Sequence, residues 1–366
     1  MRQRLATLVA TASLLALLVP VAAVSAESTI QVRHGRSIQA AIDSAPAGAV
    51  IRVAAGTYKG DLEIVRSVHL IGDHAVIVPA AAPTDNLCQT PGFFGGVVGI
   101  CIHGAIDFST GAIDPVPDVL FEGFAVRDFS GPGIVALGAD GLRLAHVVTA
   151  HNGAMGMFIN QVSNFSLRDS RSYDNHGDGV FLENLREGDQ STNTVVTGNR
   201  SYDNVGSGII FINSLGGRIA NNDLHGNCAG ISVWAFAGDY GSVSGDVSIR
   251  HNKVIANNRW CPADGSGAPN YGGIGIGLIG AQNTTVTNND VRNNRTRAGS
   301  PIHGGGIVIL SAATTDTTPG SPPPTGNSVR SNRLSGNSPY DIYGDGSGSG
   351  NTVSHNRCHT TNLGGC

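Results

Sequence analysis

One phrase recurs along the chain and limits the possible folds more than any other feature. It consists of an Asn, about three small or polar residues, a Gly and a short apolar run. The Asn positions are Asn152, Asn175, Asn204 and Asn227, and the apolar runs begin at Met157, Val180, Ile209 and Ile231. The steps between these Asn residues, about 23, 29 and 23, fall within the range of solenoid repeats.

Apolar residues alternate with others inside each repeat, as at Ile209 and Phe211 or Ile231 and Val233. Alternation is the period of a β-strand, and the unit is too short for a strand–helix–strand motif, which needs about 30 residues. Gly and Asn interrupt each run after a few residues, so the strands are short and the corners frequent. The sequence therefore predicts an all-β fold, a parallel β-helix with one coil per repeat.

A second set of Asn residues lies five positions before the first. Its members are Asn199, Asn222, Asn252, Asn289 and Asn332. Asn tolerates the left-handed backbone of a sharp corner, and stacked Asn side chains can form hydrogen-bonded ladders. We interpret both sets as corner residues that build the fold and are not ligands.

From about Ile30 to the C-terminus, the chain resembles the right-handed parallel β-helix (pectin lyase-like) superfamily. This superfamily includes pectin and pectate lyases, polygalacturonases and uronan epimerases, and the resemblance is greatest to its broad bacterial β-helix-repeat group. The resemblance implies a right-handed parallel β-helix solenoid with a substrate trough along one sheet. Residues 30–73 are similar to the N-terminal cap of these proteins, in which Ser37 begins a short helix that covers the first coil.

The first 26 residues have the pattern of a signal peptide. Arg2 and Arg4 precede an apolar stretch, and Val24-Ser25-Ala26 forms a small-residue cleavage site. We therefore expect a secreted, extracellular protein. Residues 27–366 are expected to form a single β-helix domain, with repeats over about 118–357, no membrane span and a monomeric state. The net charge of −4 argues against a nucleic-acid partner, whose binding proteins are basic.

Six cysteines in an exported chain favour disulfides. Of the fifteen pairings that six cysteines allow, pairing of neighbours is favoured. It joins Cys88 to Cys101, Cys228 to Cys261 and Cys358 to Cys366. A zinc site is the weaker alternative, because no two cysteines have close zinc-type spacing. No metal ligands are assigned. The region 84–117, which holds the first pair, is expected to be an irregular excursion.

Long insertions lie beside one set of strands. They are Arg186–Asn193, Ala235–Gly245, Asn258–Gly272, Thr296–Gly304 and Ala312–Gly326. Insertions on one side of a solenoid often mark its binding face. They predict a trough that suits a linear polysaccharide.

Alternation assigns residues to the floor of this trough. If Val180 and Leu182 point inward, Phe181 and Glu183 point outward. The same logic places Ile210, Ile212 and Ser232 outside. The catalytic candidates are Asp178, Glu183 and His176. The substrate-binding candidates are Phe158, Asn160, Phe181, Trp234, Asp239, Tyr240 and His303.

Two chemistries are open for the catalytic candidates. Asp178 and Glu183 could form the carboxylate pair of a glycoside hydrolase, or His176 could abstract a proton. Structural roles compete with both, because Asp178 could shape a corner as Ser207 does in the next repeat. Likewise, Phe158, Phe181 and Trp234 could stack on sugar rings or pack under a covering loop.

The characteristic catalytic motifs of pectate lyases, polygalacturonases and uronan epimerases are missing, so only the location of the trough carries over. The sequence favours a carbohydrate-active enzyme, a hydrolase, lyase or epimerase, with calcium as an open question and no calcium site identified. The alternative is a non-catalytic carbohydrate-binding or cell-surface protein. A structural solenoid or metal-handling accessory protein is the third hypothesis.

Overall fold

The computed structural model describes residues 29–90, 93–184, 191–236, 243–261, 270–300, 302–315 and 320–366. Within these ranges the chain forms a right-handed parallel β-helix, as predicted. Each coil contributes short strands to three faces, which we call the main, second and third sheets. Residues 1–28, which contain the predicted signal peptide, lie outside the described residues.

The main sheet has 11 strands, paired in parallel. They are Leu62–Ile64, Ile100–His103, Val116–Pro117, Ile134–Asp140, Met157–Ser163, Val180–Glu183, Ser207–Ile212, Ala229–Trp234, Ile274–Ile279, Gly305–Leu310 and Ile342–Gly344.

The second and third sheets are continuous and together have 20 strands, because Val68–Val78 and Leu120–Arg127 run through both. The other second-sheet strands are Thr29–Val32, Ala49–Val53, Arg143–Ala145, Ser166–Arg168, Ser191–Thr197, Leu215–Ala220, Gly245–Arg250, Thr285–Thr287, Ser328–Arg330 and Thr352–Ser354. The other third-sheet strands are Gly56–Lys59, Val148–Ala150, Arg171–Tyr173, Arg200–Tyr202, Asp223–His225, Lys253–Ile255, Asp290–Arg292 and Arg333–Ser335.

The predicted capping helix spans Ile38–Ser44. The Ala40 backbone N–H donates to Ser37 Oγ at 3.1 Å, and the apolar side of the helix is buried. After the helix, a strand begins at Gly56, because Gly56–Lys59 pairs with Val68–Val78. No helix in the described ranges is long and apolar enough to cross a membrane.

The region 84–117 is more regular than expected. Ile100–His103 is a main-sheet strand, and Ile100 and Ile102 are fully buried in the core. Around it lie an antiparallel hairpin, formed by Ala105–Asp107 and Ala112–Asp114, and a 3-10 turn, Leu87–Gln89. Another 3-10 turn, Ala312–Thr314, lies far from this region in the sequence. The alternating Ile-Cys-Ile is a strand signal that the neighbouring Gly-rich turns obscure.

The core is built from columns of apolar side chains that stack from coil to coil. One column of the main sheet, in direct register, consists of Ile134, Met157, Val180, Ile209, Ile231, Ile276, Ile307 and Ile342. Each member is at most 2% exposed. Burying one such side chain contributes roughly 1.5–3 kcal/mol, and a slip of one residue would turn the column outward.

The two Asn sets form ladders inside the corners. In one ladder each side-chain amide donates to the next coil's Asn oxygen, at 2.9–3.1 Å, through Asn152, Asn175, Asn204, Asn227, Asn257, Asn294 and Asn337. The second runs through Asn199, Asn222, Asn252, Asn289, Asn332 and Asn356.

The left-handed corner residue is not the Asn itself, contrary to the expectation from sequence. It is the residue immediately before, such as His151, Asp174 or Asp203, with φ of 55°, 52° and 57°. The reversal of the chain at that residue turns the following Asn side chain into the interior. The Asn residues of both ladders are accordingly buried.

Three disulfides join Cys88 to Cys101, Cys228 to Cys261 and Cys358 to Cys366. This is the pairing of neighbours favoured from the sequence. The first two tie covering segments to the outer side of the main sheet, and the third closes the C-terminal turn.

Candidate functional site

The register of the main sheet determines which side chains of Val180–Glu183 face outward. Val180 and Leu182 pair with Ile209 and Phe211, and these four side chains are buried in the core. Because side chains alternate along a strand, the residues between them point away from the core. Phe181 and Glu183 are therefore on the outer face, and both are partly exposed.

The outer face is covered over the C-terminal coils. The positions that follow Glu183 in register are Ile212, Trp234, Ile279 and Leu310, and all are buried. They pack with residues of the neighbouring segments, including Cys261, Tyr271, Ile302 and Ala312. Ile210 and Ser232, assigned to the trough floor from sequence, are buried in the same way.

Trp234 points outward as predicted but does not reach solvent. It is 2% exposed, its ring lies 5.1 Å from Phe236 and 6.0 Å from Tyr271, and its Nε1–H donates to Thr315 Oγ1 at 3.0 Å. The covering segments therefore pack against the ring of Trp234 and also accept its one hydrogen-bond donor. The prediction that Trp234 offers a face to a sugar is thus replaced by a packing role.

The N-terminal coils are covered too, by the segment that Cys88–Cys101 ties down. Val98, Val135 and Leu137 are buried there. The ring of Phe94 meets the edge of Phe158 at 5.2 Å and marks the limit of this cover.

Between the two covers lies a part of the main sheet that we call the open segment, defined by Phe158, Asn160, Phe181 and Glu183. The two phenyl rings are stacked, with centroids 5.3 Å apart and planes 18° apart. Beside them Asn160 Nδ2 lies 3.4 Å from Glu183 Oε2. The open segment thus places an apolar double ring next to an amide and a carboxylate, a combination that suits sugar recognition.

Asp178 is engaged in a corner contact at the entry to the strand that carries Glu183. It accepts a hydrogen bond from the backbone N–H of Ser207 in the next coil. Asp178 precedes the strand, which begins at Val180, whereas Glu183 is the last residue of that strand.

His176 faces a different part of the surface. It is exposed and lines a shallow pocket with His151, Asp174, Asp203 and Arg259. Its backbone N–H donates to the Asn152 carbonyl at 2.9 Å, which fixes the corner. The structure therefore separates His176 from the open segment, contrary to the predicted cluster.

His303 is exposed and stacks on Tyr343, with ring centroids 4.4 Å apart. Tyr343 stacks in turn on Tyr340 at 5.4 Å. Burial raises the pKa of Tyr343, and the charge of Asp345 adds to this shift. Asp239 and Tyr240 lie outside the described residues.

A further pair on the outer face was not identified from the sequence. His103 Nε2 lies 3.0 Å from Glu63 Oε1, and His103 Nδ1 lies 2.8 Å from the Gly104 carbonyl. Both side chains are mostly buried beneath the N-terminal cover. The strand pattern of Ile100–His103 was the signal that could have placed His103 on this face. No group of three or more His, Cys, Asp or Glu in the described ranges is arranged to hold a metal ion.

Comparisons with known proteins agree with this architecture. The model of the family described as "Right handed beta helix region" matches residues 98–254 and 190–319. A search of curated proteins found no match.

Among solved structures, the chain is similar to the A-module of mannuronan C-5 epimerase AlgE4 from Azotobacter vinelandii. The identity is 18% and the TM-score 0.57, over 90% of this chain and 93% of the other. The A-module of the mannuronan C-5 epimerase AlgE6 from the same organism has 18% identity and a TM-score of 0.55, over 90% of this chain and 91% of the other. The Dettilon tailspike protein has 16% identity and a TM-score of 0.54, over 85% of this chain and 60% of the tailspike chain. At these identities the likeness concerns the fold.

Proposed function

Because the chain belongs to the right-handed β-helix family, we propose that it binds a polysaccharide at the open segment of the main sheet and acts on it there as a carbohydrate-active enzyme. The reaction class is hydrolysis, elimination or epimerisation. The proposal includes export from the cell, in line with the predicted signal peptide and the three disulfides, which form in oxidising compartments.

The observation that carries the proposal is the exposed pairing of a stacked aromatic platform with a carboxylate. From the next coil as far as Leu310, the positions in register with Phe181 and Glu183 are buried or occupied by glycine, as at Ile210 and Ile212, whereas Tyr343 in the last strand is again partly exposed. Among the described main-sheet strands from Ile134–Asp140 to Gly305–Leu310, only the open segment has an aromatic and an acidic side chain that are partly exposed next to each other. A sugar ring can rest on the phenyl platform while its hydroxyl groups face Glu183, beside the buried side chain of Asn160.

Glu183 is the acid–base group in this proposal. A carboxylate next to a bound sugar can accept a proton from it or donate one to a leaving oxygen. Asn160 Nδ2 approaches one carboxylate oxygen at 3.4 Å and so helps to orient it. Asp178 is assigned a corner-shaping role, because its carboxylate accepts the Ser207 N–H.

A non-catalytic carbohydrate-binding protein is the second candidate. It is favoured by the corner hydrogen bond of Asp178, because glycoside hydrolysis uses a pair of carboxylates and Asp178 is engaged by the Ser207 N–H. In that case the same platform would retain a polymer without changing it.

The test is incubation of the purified mature chain with acidic and neutral polysaccharides, with and without calcium. New reducing ends, the absorbance of unsaturated uronides and, for epimerisation, NMR of the polymer are recorded. On the active polymer, Glu183→Gln should lower the rate by about 100-fold or more. The matched control is Glu122→Gln, a partly exposed glutamate on the second sheet, which should leave the rate unchanged.

Retention without any product, lost in Phe181→Ala, supports the binding protein. Full activity in Glu183→Gln would exclude Glu183 as the acid–base group. Full retention and activity in Phe181→Ala would exclude the open segment as the binding site.

A further inference from the structure

The outer face of the third sheet carries a charged side chain at one register position in six successive coils. We call these residues the charged row. In register they are Arg171, Arg200, Asp223, Lys253, Asp290 and Arg333. The charged row lies on a different face from the open segment and takes no part in the site described above.

Neighbours in the charged row are close enough to interact. Lys253 Nζ lies 3.6 Å from Asp223 Oδ2, one coil away. Arg171 and Arg200 instead stand directly opposite each other with equal charge, and both are exposed. In the described ranges no carboxylate lies within ion-pair distance of either guanidinium. Like charges directly opposite destabilise a sheet, so the fold carries a local cost at this pair.

An aromatic stack holds the strand ends beside this arginine pair. The rings of Tyr173 and Tyr202 are 4.9 Å apart with planes at 4°, and His225 continues the stack at 5.0 Å and 5°. Arg200 Cζ lies 5.9 Å from the centre of the Tyr202 ring. Burial raises the pKa of Tyr202, as does the neighbouring Tyr173, whereas the charges of Arg200 and Arg171 lower it. The arginine charges therefore act on the same small surface as the rings.

We propose that Arg171 and Arg200 bind a carboxylate-bearing polysaccharide that runs along the axis of the β-helix. This inference rests on the proposed function, because it adds a second contact surface for the same class of polymer. Each guanidinium presents a planar fork that matches a carboxylate. An anion between the two arginines would also remove their mutual repulsion.

A linear polymer fits this surface better than a small ion. The coil repeat of about 4.8 Å spaces the two arginines along the axis, and Lys253 adds a basic residue farther along the row. Asp174 and Asp203 follow the two tyrosines at the adjacent corner, where they line the pocket that contains His176. They restrict the anion to the arginine side of the stack.

The test measures binding of polygalacturonate to the full mature chain by titration calorimetry. Its methyl-esterified form and the galacturonate monomer serve as uncharged and monomeric probes. The key variant is Arg171→Gln/Arg200→Gln. The matched control is Arg333→Gln/Arg357→Gln, a second arginine pair in register and exposed on the same sheet, for which the structure shows no tyrosine stack beside it. A third variant, Phe158→Ala/Phe181→Ala, reports on the open segment.

We expect the key variant to weaken polygalacturonate binding by about tenfold or more, the effect of one lost charge-assisted contact. The control pair should change binding by less than about twofold, and the ester and the monomer should bind much more weakly than the polymer. An equal loss in both arginine variants would overturn the proposal, because bulk charge would then explain the binding. Equal binding of monomer and polymer would also overturn it.

The two proposals fail separately. If the key variant binds like the parent chain while Phe158→Ala/Phe181→Ala loses binding, the arginine site is refuted and the open segment stands. If only the key variant loses binding, the arginine site stands and the open segment is refuted. Absence of any binding of polygalacturonate by the parent chain also refutes the arginine site.

Discussion

The Asn ladder makes a quantitative prediction at Asn204, a fully buried residue in the middle of the solenoid. Its oxygen accepts from Asn175 Nδ2 at 2.9 Å and from the Asn175 backbone N–H at 3.2 Å. Its amide donates to the Ser172 carbonyl at 3.0 Å and to Asn227 Oδ1 at 3.1 Å, with Ser201 Oγ also within 3.1 Å. Asn204→Ala removes all of these hydrogen bonds, and the alanine side chain can form none in their place.

The magnitude follows from what remains behind. The Asn175 backbone N–H has no other acceptor in the described ranges, and an unsatisfied buried donor costs about 1–3 kcal/mol. Asn227 Oδ1 still accepts a hydrogen bond from the Asn204 backbone N–H, and Asn175 Nδ2 still donates to the Thr149 carbonyl. Each of these two groups therefore loses one hydrogen bond but stays partnered, at a cost of only about 0.5–1.5 kcal/mol. Asn204→Ala should therefore lower the free energy of unfolding by about 2–6 kcal/mol.

Equilibrium unfolding in guanidinium chloride, followed by circular dichroism, measures this change. The matched control is Asn258→Ala, an exposed Asn outside the ladders with one contact, to the Arg295 backbone N–H. It should cost at most about 1.5 kcal/mol. A loss below about 1 kcal/mol in Asn204→Ala, or equal losses in both variants, would show that the ladder does not stabilise the corners.

Three further predictions concern single side chains. Hydrogen bonds, first from the Ser109 side chain, hold the pKa of Asp107 at about 2; Ser109→Ala should move it toward the usual 3.8, as read by NMR titration. Since this pKa is lowered, the stability from this contact is full above the usual value and is lost as pH falls through the folded value. Trp234→Ala should destabilise the fold by about 3–5 kcal/mol in chemical unfolding, because it empties a buried site. Arg200→Gln should raise the pKa of Tyr202 further, as seen by ultraviolet titration, because the Arg200 charge opposes the shift caused by burial.

The β-helix could be predicted from the sequence because each repeat contains its own strand and corner signals. Alternation at Ile209 and Phe211 specifies both the strand and the buried side, and the structure pairs these residues with Val180 and Leu182 as core columns. The capping helix was equally accessible, since the Ser37 cap and the apolar side of Ile38–Ser44 are adjacent in the chain.

The accessibility of the outer face could not be predicted. Trp234 and Glu183 occupy the same position two coils apart, yet one is buried and the other partly exposed. The difference comes from Tyr271 and Thr315, which approach Trp234 from distant insertions. Alternation specifies the direction of a side chain but carries no information about which insertion folds over it.

The corner geometry was missed for a related reason. Asn was assigned to the left-handed position on its intrinsic preference, whereas the structure places the preceding residue there, as at His151. The Asn side chain gains more from the interior, where the Asn175 oxygen of the next coil accepts both the amide and the backbone N–H of Asn152. That gain depends on a neighbour 23 residues away and is invisible within one repeat.

The amide ladder gives the solenoid a direction and an end. Every rung donates toward the C-terminus, and the last one, Asn337, donates to the buried carboxylate of Asp341 at 2.8 Å. A carboxylate accepts hydrogen bonds but has none to pass on, and the second oxygen of Asp341 already takes the His359 N–H at 2.9 Å. A coil from a second molecule would find no amide there to continue the series. Asp341 thus ends this amide series chemically, and a coil stacked beyond it would lack the side-chain hydrogen bond that joins the coils before it.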